Sequence, residues 1–105
     1  MYYLIFLGFD STAASFLTSE RDIVGVGIDT LSIDAGHNLK FPAHRIFTKR
    51  QKYMLENVAN LHLIPAKGFK LWAVPFKVDA GTGSPTRLIA VLPDRVKYEE
   101  KKSNY

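Results

Sequence analysis

His44 and Glu56, twelve positions apart, are the residues of this chain best equipped to hold a metal ion or move a proton. An imidazole nitrogen and a carboxylate oxygen suit zinc or manganese, which draw several such ligands from different elements. The chain has no cysteine, so disulfide scaffolds and thiolate metal sites are excluded and any metal must be held by His, Asp or Glu. On spacing alone, a surface histidine and an ordinary carboxylate are the simpler account of the pair. Asp29 ends an apolar run, where α/β sites commonly lie, but a loop-capping aspartate fits equally well. Ser32 and His37 are of nucleophile and base type, yet no third residue is placed to orient them. The run Gly81-Thr82-Gly83-Ser84-Pro85 lacks the lysine of a phosphate-binding loop and reads as a tight connection between strands.

These residues have to be positioned by short elements. Asp10 or Ser11 can cap a helix over about 11–19, with Ala14, Phe16 and Leu17 as its apolar set. Ile23 to Ile28 is a β-branched run broken by Gly25 and Gly27, which predicts a buried strand with something packed close to its backbone. Residues 29–40 read as loop. Pro42 opens a helix carrying His44, Ile46 and Phe47. Tyr53 to Val58 predicts a second strand with Glu56 near its C-terminal end, and 60–63 a single helical turn with His62 on it. Two further strands are expected, 69–78 and 86–92, with Pro75 marking an edge or bulge. Phe69, Trp72 and Phe76 are expected in a core or a pocket wall. The fold class is α/β: a small mixed sheet with short helices, and more sheet than helix.

With 105 residues, 47% hydrophobic and 23% charged, the chain has the balance of one small folded domain. The opening MYYLIFLGF is too short to span a bilayer and lacks the basic region and cleavage site of a signal peptide; it reads as a buried strand. The net charge of +4 is gathered at Lys49, Arg50 and Lys52 and in a tail broken by Glu99 and Glu100. That pattern does not make the continuous face nucleic acid requires. No membrane or nucleic-acid partner and a cytoplasmic location are expected, and residues 94–105 are expected to fray.

Taken in series, GVGIDTLSID, FPAHR, LENVANLHLIP, GFKLWAVPFKV and GSPTRLIAVLP resemble the C-terminal half of the cyclase family of metal-dependent hydrolases, which includes bacterial-type kynurenine formamidases and isatin hydrolases. The likeness covers roughly residues 7–93, which would make 1–93 part of a cyclase-family domain with the swivelling β/β/α fold. It implies that His44 and Glu56 are metal ligands, for zinc or manganese, and that Asp29, Thr30 and Ser32 line a substrate pocket. It also implies a small-molecule amide substrate, homo-oligomers, and arylformamidase-like chemistry in which a metal-activated water attacks a formamide or cyclic amide carbonyl. The family's H-x-G-T-H-x-D-x-x-x-H motif, which supplies further ligands and a proton-transfer histidine, does not occur among these residues, and no catalytic residue is assigned. The alternative is a non-catalytic binding or interaction protein that keeps this part of the fold.

Overall fold

Two parallel three-residue strands joined through a helix form the frame of the site. The structure, a computed structural model, describes residues 5–93 and divides into two units, Met1–Leu61 and His62–Tyr105. In the first unit α1 spans Ser11–Ser19, β1 Gly25–Gly27, α2 Pro42–Lys49 and β2 Tyr53–Leu55. β1 and β2 pair in parallel with Val26 opposite Met54. Parallel neighbours need a long crossover, and α2 lies in it. Ile28 N–H donates to the Leu55 carbonyl and Val58 N–H to the Ile28 carbonyl, each at 3.0 Å, so the pairing continues past both strands.

Each helix forms where the sequence predicts it, and α1 has the expected bounds. Asp10 caps α1, its carboxylate accepting the Ala13 amide at 2.6 Å. Ala14 is fully buried and lets α1 pack against α2. On α2, Ala43 and Phe47 stand one turn apart and are both buried, as the spacing of four dictates. With Val26 and Ile33 they form the core, and Phe9 meets Phe47 edge-on with ring centres 5.8 Å apart. α2 stops in a left-handed residue, Gln51 at φ 55. The Gln51 amide then donates to Thr48 and the Lys52 amide to Phe47, both at 2.9 Å, satisfying carbonyls the helix leaves open.

The predicted strands are longer than the observed ones, so helix and strand occupy similar lengths and the expected excess of sheet is absent. Asn57, at φ 53, turns the chain out of β2 before Val58. The opening segment is also not a buried strand in its described part. Ile5 and Leu7 are 90% and 84% exposed, and only Phe9 makes a bridge, parallel to Asp34. Gly25 has the close neighbour its composition predicts, the Tyr53 ring.

After a 3₁₀ turn at Leu61–Leu63, the second unit is an antiparallel hairpin of β3, Lys70–Pro75, and β4, Thr86–Val91. The mixed pairing of the α/β class is thus split between one parallel and one antiparallel pair. Pro75 ends β3, in keeping with an edge position. The 81–85 loop is the expected connection: the Ser84 hydroxyl donates to the Phe76 carbonyl at 3.1 Å, and a strand follows, not a helix. Trp72 lies opposite Ile89 and both are exposed, as are Val74, Phe76 and Val91, which corrects the expectation that Trp72 and Phe76 are core. Among the described residues no helix is long and apolar enough to cross a membrane. The predicted tail at 94–105 lies outside the described residues.

Candidate functional site

Ligand-type side chains converge at the carboxyl end of the β1–β2 pair, where α/β folds place their sites. His44 is the third residue of α2 and Glu56 the first after β2. Their side chains meet, with His44 Nε2 3.2 Å from Glu56 Oε1. Each is about one-third exposed, so the pair is reachable from solvent. Glu56 is held in place because the same Oε1 accepts the Ile33 amide at 2.8 Å.

The structure adds a third residue, Asp34, to which the sequence reading assigns no role. It is 1% exposed. Its Oδ1 accepts the Ala43 amide at 2.7 Å, and its Oδ2 accepts the His44 amide at 3.1 Å and faces His44 Nδ1 at 2.7 Å. A buried carboxylate is costly without donors, and two amide donors and the His44 ring surround this one. It also sits at the positive end of the α2 dipole. The signal that could have found it is a missing cap. The residue before Pro42 is Phe41, which has no side-chain acceptor and lies at φ 50, so the first amides of α2 need an acceptor from elsewhere. Asp34 supplies it from nine and ten positions upstream.

Of the three residues expected to line a substrate pocket, Thr30 and Ser32 bond to the backbone around the Asp34 loop. The Thr30 hydroxyl lies 3.0 Å from the Leu7 carbonyl and 3.1 Å from that of Ser32, and the Thr30 carbonyl accepts the Asn57 amide. The Ser32 hydroxyl accepts the Asp34 amide at 3.3 Å. Both hydroxyls therefore tie the loop that carries Asp34, and Asp29 is exposed beyond the end of β1. His37 is exposed, and Ser32 is engaged in the turn, which leaves no nucleophile–base pair built there.

As a metal centre, the arrangement provides one edge. Nε2 of His44 and the carboxylate of Glu56 are two donors facing one another, whereas both Asp34 oxygens are turned to α2. No group of three His, Cys, Asp or Glu side chains able to hold a metal forms among the described residues. The donor types fit zinc or manganese, and the number fits part of a coordination shell.

No family model matches the chain. It is 40% identical over 85 residues to isatin hydrolase of Roseibium aggregatum, a match covering 77% of this chain and 32% of that protein. Cyclase-like protein 2 of Oryza sativa is 31% identical over 88 residues, covering 84% of this chain and 32% of the relative. The chain is similar in fold to isatin hydrolase A of Ralstonia solanacearum, with a TM-score of 0.74 at 32% identity, over 80% of this chain and 34% of the other. It is cyclase-family sequence and fold over this span. A kynurenine formamidase, that of Paracidovorax citrulli, is 34% identical over 75 residues, covering 71% of this chain and 34% of that protein. The chain spans about a third of the length of the curated relatives it matches, less than the half that its motifs imply.

Proposed function

We propose that this chain supplies the His44–Glu56 edge of the metal site of a cyclase-family amide hydrolase, acting on the carbonyl of an aryl formamide or a cyclic aryl amide. The observation that carries the reading is the 3.2 Å approach of His44 Nε2 to Glu56 Oε1 from two separate elements, with Glu56 held by the Ile33 amide and the His44 ring by Asp34 Oδ2. Likeness to an isatin hydrolase and to kynurenine formamidases supports the substrate class. His44 and Glu56 would be two of the ligands of a zinc or manganese ion, which when bound would supply an activated water and Lewis-acid polarisation of the carbonyl. What the chain itself does is hold Nε2 and the Glu56 carboxylate at one opening, backed by a core that keeps α2 and the end of β2 in register.

Manganese-induced line broadening in NMR spectra of the purified chain tests the ligands, because it registers binding even when part of the shell is water. Broadening should centre on the His44 ring and the Ile33 amide and vanish in a His44→Ala, Glu56→Ala double variant. Broadening spread over exposed acids such as Glu20 and Asp22, unchanged in the variant, would refute the ligand assignment. The hydrolase reading is tested by exchanging this chain for the matching third of the Roseibium isatin hydrolase. Isatin hydrolysis by the folded chimera, lost on His44→Ala, is the expected result. A folded, inactive chimera would sink it.

A further inference from the structure

We propose that Asp34 is a positioning residue that fixes the tautomer of His44, keeping the ring proton on Nδ1 and presenting a bare Nε2 toward Glu56. The inference rests on the reading of His44 and Glu56 as ligands, and it adds the group that decides which nitrogen is available.

The argument starts from donors that cannot change their role. The Ala43 and His44 amides always donate, and they take hold of Oδ1 and Oδ2 respectively, at 2.7 and 3.1 Å. The carboxylate is thereby clamped across the first turn of α2 and cannot rotate away. Its ionised form only accepts. Nδ1, 2.7 Å from Oδ2, must therefore be the donor. A neutral imidazole has one ring proton, so Nε2 is left with a lone pair. That lone pair lies 3.2 Å from a Glu56 oxygen which is itself an acceptor. Two acceptors at that separation call for a cation or a proton between them. With Asp34 1% exposed, solvent does not compete for its carboxylate oxygens. Partners of this kind, behind a ligating histidine, set ring orientation and ligand strength.

Long-range ¹⁵N correlation spectra of the purified chain read the tautomer directly, at a pH where the histidines are neutral. His37 and His62, both exposed, serve as internal references. His44 should be in the Nδ1–H form. Asp34→Ala removes the oxygen that faces Nδ1, so the bias should be lost and the Nε2–H form should become populated. Manganese affinity at His44 should fall by about 10- to 100-fold. An Nε2–H form in the unmodified chain overturns the proposal, and so does Asp34→Ala keeping Nδ1–H as fully as the unmodified chain. If Asp34→Ala does not fold, the unmodified chain decides alone. Should the tautomer respond as stated while manganese never broadens His44, Asp34 positions the ring and the ligand reading is what fails.

Discussion

Replacing Gly8 by alanine should damage the site through the backbone of Asp34. Gly8 lies where the backbone of the opening segment crosses the Asp34 loop. A Cβ built there would overlap the Asp34 carbonyl carbon and the Ala35 nitrogen and sit 2.7 Å from the Asp34 oxygen. These are backbone atoms, so no side chain can swing aside, and the two segments must part by about 1 Å to reach ordinary contact. Two backbone hydrogen bonds span the crossing: Phe9 N–H to the Ile33 carbonyl at 2.7 Å and Gly36 N–H to the Phe6 carbonyl at 3.2 Å. Weakening both costs about 1–3 kcal/mol. With the strain of overpacking the total comes to about 2–4 kcal/mol, a large share of the roughly 5–15 kcal/mol that holds a domain together. Urea denaturation followed by far-UV circular dichroism should show the midpoint falling by about 1–2 M. Trp72 fluorescence is the wrong probe, since that residue belongs to the second unit. Hydrogen exchange at the Ala43 and His44 amides should quicken, because both donate to Asp34. An unchanged midpoint with unchanged protection would mean that the crossing is not tight and that Asp34 is not held by it.

Gln51→Gly should stabilise the first unit by about 0.5–1 kcal/mol, since relief of a left-handed conformation at φ 55 outweighs the added flexibility of glycine. A lower denaturation midpoint would contradict the Schellman-type end assigned to α2. Trp72→Thr with Ile89→Thr removes an exposed opposed pair from the hairpin at a cost of up to about 1 kcal/mol in that unit. Light scattering at high concentration should show less self-association, as expected when an apolar patch beside open strand edges is made polar; scattering that does not change would argue that this face does not drive association.

Local chemistry is what the sequence by itself determined. Asp10 followed by Ala13 and Ala14 is a cap and a buried face within one turn, and Pro42 with Ala43 and Phe47 is the same kind of signal, so both helices are readable from neighbours on the chain. The strands are less so, because pairing partners decide where a strand ends. Positive φ at Asn57 cuts β2 to three residues although the apolar pattern runs on to Val58. His44 and Glu56 are named by residue type and by their place in a series of motifs, but twelve residues of separation say nothing about distance. That they meet at 3.2 Å is settled by the parallel pairing of β1 with β2 and by α2 packing between them in sequence. Asp34 shows the limit most plainly. As one acid in a polar loop it carries no periodic signature, and the missing cap at Phe41 marks a need without naming the residue that meets it, because the fold brings the uncapped helix end, an imidazole and a buried carboxylate to one point. Bonds between neighbours along the chain can be read from residue order, whereas bonds that close long loops depend on which surfaces the whole chain buries.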